Sequence, residues 1–214
     1  MSTLIFANGD LEQGMWLQPY LAQATRLIAA DGGSRHLYLL NRPPDVIIGD
    51  LDSVTEEVRQ WLQTAAAQFI IHPAAKDETD LELALLYGAQ FAEEILVFGA
   101  LGGRLDQTLA NILLLAHPAL QGRSVQLVEP YQRAWLAAGE VVVNGRSGDT
   151  LSLIPLGGDV SIQQTTGLKW PLHDDVLQFG PARGISNVMV ADEARVWVAN
   201  GRLLCIHTQQ TWQR

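Results

Sequence analysis

A single cysteine, Cys205, stands among the 214 residues. One thiol closes no internal disulfide and builds no cysteine metal cage, so it is expected to be a small buried apolar residue in a strand. The five histidines show no paired ligand spacing. Basic charge is scarce too: 14 Lys and Arg face 23 Asp and Glu, a formal net charge of -9. Such a balance excludes a general nucleic-acid binder, which needs a basic face to replace the counterions of the phosphate backbone. An acidic chain that handles phosphates would need metal ions. No apolar run approaches the roughly 18 residues of a membrane span, and the first ten residues lack the basic start and long apolar stretch of a signal peptide. A cytoplasmic protein with neither membrane nor nucleic acid as partner is expected. Also missing are the Gly-Lys-Ser/Thr ending of a P-loop and the dinucleotide pattern G-x-G-x-x-G. What is present is a chain 48% hydrophobic and 17% charged, enough to bury a real core in one large domain or two small ones.

Up to about Glu129, short apolar runs alternate with helical patterns: LIFA then MWLQPYLAQA, RLIAA then SRHLYLLN, DVIIG then TEEVRQWLQTAAA. The alternation continues through FIIH, DLELALLYGAQF, EILVFGA, RLDQTLANILLLAH and VQLVE. This spacing predicts βαβ units and a mostly parallel sheet covered on both faces. In the helix beginning near Arg104, Leu105, Leu109, Ile112, Leu113 and Ala116 form one stripe expected to pack on that sheet. After Pro130 the helical period stops. EVVVNG, DTLSLIPLGG, VSIQQT, VLQF, NVMVAD, ARVWVANG and RLLCIHT alternate between turns, as in an antiparallel sandwich. The expected division is an α/β domain over 1–130 and an all-β domain over 131–214.

Aspartates of the first half fall just after predicted strands: Asp31 in AADGG, Asp50 and Asp52 in IIGDLDS, Asp77 and Asp80 in KDETD, Asp106 in GALGGRLDQ. In a parallel sheet those turns share the carboxyl edge, where open α/β sheets bind ligands. Asp50 and Asp52, two apart, can project to the same side of an extended turn. Each aspartate alone also suits a helix cap or first turn, and the SVTE run at 53–56 and TDLE run at 79–82 fit capping boxes. Their recurrence in successive turns is what caps leave unexplained. Clustered carboxylates repel, and hard divalent cations relieve that repulsion.

Glycines share these turns: Gly32 and Gly33 after Asp31, and Gly99, Gly102 and Gly103 before Arg104. Without side chains they let backbone N–H groups approach a phosphate chain. Lys76 and Arg104 bring positive charge into the acidic edge, either to phosphate oxygens or to a neighbouring aspartate. A nucleoside triphosphate with Mg²⁺ satisfies these features together, which points to phosphoryl-type transfer with the acceptor open.

The ordered set ADGG, GDLDS, KDETDLELAL, GALGGRLDQ, GLKWPL and GISN resembles the thiamine pyrophosphokinase family over about residues 31–187. The resemblance implies an N-terminal ATP-binding α/β domain, a C-terminal thiamine-binding β-sandwich, and a homodimer with sites between the two kinds of domain. It implies transfer of a diphosphate from ATP to the hydroxyethyl oxygen of thiamine, giving thiamine diphosphate and AMP. Carried over, Asp50, Asp52 and Asp80 would be Mg²⁺ ligands, and Asp52, Asp77, Asp80, Arg104 and Asp106 the catalytic set. The nucleotide would meet Asp31, Gly32, Gly33, Ser53, Lys76, Gly102, Gly103, Arg104 and Gln107. Thiamine would meet Asp106, Trp170, Ser186 and Asn187, with the indole as a flat surface and Ser186 and Asn187 as partners for ring nitrogens. At Ala75 the chain departs from the pattern, which places an acidic residue just ahead of the lysine. Two other readings are a Mg²⁺-dependent diphosphotransferase with another small acceptor and a catalytically silent nucleotide-binding regulator.

Overall fold

The computed structural model describes residues 2–211, and the chain divides into two compact units, one ending at Pro130 and one beginning at Tyr131. In the first unit, strands β1 (Ser2–Phe6), β2 (Ala24–Ala30), β3 (Val46–Gly49), β4 (Gln68–Ile71), β5 (Glu94–Phe98) and β6 (Ser124–Val128) alternate with helices. These are α1 (Gln18–Gln23), α2 (Ser34–Leu39), α3 (Glu56–Thr64), α4 (Asp80–Gly88) and α5 (Leu105–Leu114). Every strand pairing in this unit is parallel, in the order β4-β3-β2-β1-β5-β6. The order reverses direction between β1 and β5, and there the turns after the two strands diverge and open a crevice.

Alternation along the strands divides the core. Leu4 and Phe6 of β1, Leu27 and Ala29 of β2 and Ile47 of β3 pack with Leu37 of α2 and with Val58 and Leu62 of α3. The opposite face presents Thr3, Ile5 and Ile28, against which Gly88 of α4 lies so closely that an added Cβ would sit 3.4 to 3.5 Å from all three. A helix without bulk at that point can lie flat on the sheet.

Two local expectations change. Thr55, and not Ser53, caps α3, its hydroxyl accepting from the Val58 amide at 3.4 Å. Thr79 caps α4 in the expected way, accepting from Glu82 N. Helix α5 turns its stripe outward: Leu105, Leu109 and Leu113 are 82%, 55% and 49% exposed. The residue it buries is polar Asn111, whose Nδ2 donates to the Ala100 carbonyl at 2.7 Å. The period identified a helix correctly, but apolar periodicity does not tell a sheet-facing stripe from one left for another surface.

The second unit has two antiparallel sheets. One is β12-β9-β14-β7, from β7 (Gln132–Ala137), β9 (Thr150–Pro155), β12 (Asn187–Val188) and β14 (Leu203–Thr208). The other is β11-β10-β13-β8, from β8 (Glu140–Asn144), β10 (Val160–Thr166), β11 (His173–Leu177) and β13 (Glu193–Asn200). Both sheets contribute to one core, including Leu151, Leu153, Ile162, Leu177, Val196 and Leu203. Cys205 lies in it with no exposure, and burial pushes its thiol up to about 12. Strand β7 is the element the alternation did not reveal, because only every third residue, Ala134 and Ala137, is buried. Among the described residues no helix is long and apolar enough to cross a membrane.

Candidate active site

The crevice at the carboxyl edge of the parallel sheet is a cavity of about 540 Å³, lined by turns following β1 to β5. The turn after β3 supplies its charge. Leu51 adopts φ 65°, a conformation non-glycine residues rarely hold, while its side chain is buried in the core. That tight reversal, in place of the expected extended turn, folds the Asp52 N–H back onto Asp50 Oδ1 at 3.1 Å. Asp31, at φ 44° after β2, joins them, and carboxylate oxygens of Asp31, Asp50 and Asp52 lie within 4.8 Å of one another.

Electrostatics differ sharply within this trio. Burial raises the pKa of Asp31, with Asp80 and Asp52 adding to the rise while Ser53 and the Gly32 amide oppose it. Asp50 is held below the ordinary value by the Asp52 N–H and, secondarily, by Lys76. Asp31 Oδ1 is buried and has no hydrogen-bond partner. An orphaned carboxylate oxygen beside two further carboxylates is the donor set a hard divalent cation takes, so these residues fit Mg²⁺. The grouping joins Asp31 to the expected Asp50 and Asp52, while the expected Asp80 lines the same cavity. Asp80 is ion-paired to Lys76, whose Nζ lies 2.9 Å from its Oδ1 and 3.6 Å from Asp50 Oδ2. Partial burial lowers the lysine pKa, but Asp80 and Asp50 outweigh it and the net shift is upward. The ammonium is therefore a fixed positive charge in the cavity wall.

Across the crevice, Gly102 and Gly103 (φ 84° and 71°) line the cavity with Arg104, Gln107 and Asn111. Nothing lies within 4 Å of where a Cβ of Gly103 would be, so this backbone is open to a ligand. Arg104 is bound through Nε and Nη2 to Asp106 at 3.1 and 2.6 Å, and this contact holds the Asp106 carboxyl below its ordinary value. Asp106 itself is exposed and outside the cavity lining, as is Asp77.

Gly32 and Gly33 serve packing. A Cβ on Gly33 would collide with the Phe6 carbonyl oxygen and one on Gly32 with the Asn8 side chain, and neither glycine lines the cavity. They let α2 start against the end of β1. That end, ANGD at 7–10, was overlooked, although Ala7, Asn8, Gly9 and Asp10 all line the cavity. The available signal was Asn-Gly-Asp immediately after the first strand. Ser53 lines the cavity and donates to Asp52 Oδ1 at 3.0 Å.

In the second unit Trp170 is 54% exposed, with Lys169 Nζ 4.9 Å from its ring centroid. Asn187, 5% exposed, does not offer its amide to a ligand. Its Oδ1 accepts from the Trp170 N–H at 3.1 Å and its Nδ2 donates to the Trp170 carbonyl at 2.7 Å. Ser186, at φ 56°, has its amide on Ser152 Oγ at 2.9 Å and its own side chain exposed.

Residues 17–127 match the family described as Thiamin pyrophosphokinase, catalytic domain, and residues 140–204 match Thiamin pyrophosphokinase, vitamin B1 binding domain. Thiamine pyrophosphokinase of Bacillus subtilis is 30% identical over 195 residues, covering 90% of this chain and 91% of the relative. A crystal structure of the Bacillus subtilis thiamine pyrophosphokinase superposes with a TM-score of 0.87 at 28% identity, covering 98% of this chain and 99% of that one. That of Geobacillus thermodenitrificans gives 0.84 at 27% identity, with 99% of each chain covered. Two matched domains in the same order, and a relative similar along nearly its whole length, establish that the chain belongs to the thiamine pyrophosphokinase family.

Proposed function

We propose that this protein transfers the terminal diphosphate of ATP to the hydroxyethyl oxygen of thiamine, yielding thiamine diphosphate and AMP. The observation that carries the reading is the meeting, in one cavity, of three carboxylates, a side-chain-free backbone turn and two cations, within a chain of this family. Asp31, Asp50 and Asp52 would hold Mg²⁺, with Asp80 close by. When bound, the ion supplies charge neutralisation to the phosphate chain. Lys76 and Arg104 present positive charge where negative charge shifts during transfer, and Asp106 aims the Arg104 guanidinium. The 102–103 backbone and Gln107 border the space for the nucleotide. Asp77, exposed and off the cavity wall, has no part in this scheme.

For the acceptor, the exposed Trp170 indole is the flat surface in the vitamin B1 binding domain, and Asn187 acts through it by fixing its backbone. Lys169 already occupies a position over the ring, so a neutral aminopyrimidine suits that neighbourhood better than a second cation. Homodimerisation is supported by the exposed stripe Leu105, Leu109, Leu113, spaced four apart on one face of α5. A cytoplasmic setting completes the reading.

The test is to incubate the protein with Mg²⁺, ATP and thiamine and to separate the products by chromatography. AMP and thiamine diphosphate in equal amounts are expected. ADP with thiamine monophosphate would overturn attack at the β-phosphorus, and no thiamine-dependent nucleotide consumption would overturn the function.

A further inference from the structure

The cavity's first turn, residues 8–10, contains no regular structure and no side chain that anchors it in the core, yet it borders the space proposed for the nucleotide. Its fixed points come from α2 and from the turn after β5. Gly9 N donates to the Gly99 carbonyl at 2.8 Å, and a Cβ on Gly9 would collide with that same oxygen. The Gly9 carbonyl receives two side chains, Arg35 Nη2 at 2.8 Å and His36 Nε2 at 3.0 Å. Arg35 also donates through Nη1 to Asn8 Oδ1. His36 is 4% exposed, and its other nitrogen, Nδ1, lies 3.3 Å from Gln13 Nε2.

A carbonyl only accepts, so Nε2 carries a proton and donates to Gly9, while Nδ1 faces the Gln13 carboxamide. His36 thus ties the turn, at Gly9, to the segment that follows it, at Gln13.

We propose that His36 and Arg35 are positioning residues that clamp the 8–10 turn for nucleotide binding. The proposal rests on the nucleotide reading of the cavity. The two residues sit on the packed side of the turn and act on the ligand through Asn8, Gly9 and Asp10. Burial lowers the His36 pKa; the Gly9 carbonyl and Asp10 oppose this and Arg35 adds to it. Arg35 and Asp10 are the charged groups facing the ring. With its folded value below the ordinary one, the ring is neutral at neutral pH, and the donated bond to Gly9 needs no charge.

The experiment measures MgATP affinity by calorimetry, without thiamine, for the parent, His36→Leu, His36→Gln and Arg35→Met, alongside melting temperature and amide exchange at residues 7–10. Leu fills the space but donates nothing, and should weaken MgATP binding about tenfold, as expected when a carbonyl loses its donor. Gln, which can donate to Gly9 and accept from Gln13 without titrating, should restore most of it. Exchange at Gly9 should accelerate in His36→Leu. A folded His36→Leu protein with parental MgATP affinity and parental Gly9 exchange would overturn the clamp. A parent protein that binds no MgATP would instead overturn the nucleotide reading, while the exchange data still judge the clamp.

Discussion

Replacing Asp31 with Asn should make the protein more stable without metal and less stable with it. Asn tolerates the φ of 44° at this position and matches the carboxylate in shape, so the backbone survives. What changes is charge. Two unit charges at the 4.8 Å limit of the trio repel by about 1 kcal/mol in a water-like dielectric and by about 3.5 kcal/mol at an effective constant near 20. Because Asp52 is exposed, the lower figure governs, and relief of about 1 kcal/mol raises the melting temperature by about 2 to 4 °C for a chain of this size. The sign agrees with the raised Asp31 pKa, since a carboxyl that resists ionisation in the folded state opposes folding once ionised at neutral pH. Mg²⁺ reverses the order. At a hundredfold excess over its dissociation constant a bound ion contributes about 2.7 kcal/mol, and a variant lacking one ligand charge forfeits most of that. Scanning calorimetry of parent and variant, in chelator and in saturating Mg²⁺, should therefore show the two melting temperatures crossing. A variant that melts below the parent in chelator, or gains as much from Mg²⁺, would refute the assignment of Asp31 to the cation.

Three other expectations are simpler. Trp170→Ala should weaken thiamine binding by roughly ten- to thirtyfold, the loss of about 1 to 2 kcal/mol of ring contact, with an unchanged melting temperature because the indole is exposed; a drop in stability with unaltered thiamine affinity would contradict this. The proposed homodimer should sediment as a dimer, and Leu109→Glu, at the middle of the exposed α5 stripe, should convert it to a monomer; a variant sedimenting like the parent would exclude the stripe as the contact. Glu129, pushed up from 4.5 to about 7 by burial with Asp10 contributing, opposes folding increasingly as the pH rises between those two values and fully above them; Glu129→Gln should melt several degrees above the parent near pH 8 and equal it only below about pH 4, and a gap of equal size at both would exclude the carboxyl as the cause.

Which parts of this molecule were legible in advance follows from what each sequence signal physically reports. The βαβ alternation read correctly because every strand from β1 to β6 is an apolar run between helices of different period, and the switch to antiparallel β-structure after Pro130 was equally visible. Strand β7 was hidden because a pattern burying Ala134 and Ala137 lacks the period of two. The outward stripe of α5 was misassigned because a sequence shows which residues share a face and not what covers it. Within the site, the turns holding Asp31, Asp50, Asp52 and Lys76 could be named because carboxylates repeat after strands. The ANGD turn carried no such repetition, and the pairing of Asp80 with Lys76 depends on side-chain directions that spacing alone leaves open. Gly32 and Gly33 show the converse: glycine reports a close approach, and here the approaching group is the protein's own Phe6 carbonyl.

The paired hydrogen bonds of Asn187 to the backbone of Trp170 bear on the timing of recognition. Amide and carbonyl of one residue are both tied by a single buried side chain, which leaves the indole the only part of Trp170 with freedom to move. A platform so mounted is built before any ligand arrives, and little backbone ordering remains to be spent on the encounter. Association with a flat heterocycle should then proceed at a rate set by diffusion and orientation, and variants around the ring should differ chiefly in how fast the ligand leaves. Position 187 carries the cost of that arrangement: Asp would surrender the donor and Gln would overreach, so a residue proposed to act only through the backbone should tolerate fewer replacements than the ring proposed to meet the ligand.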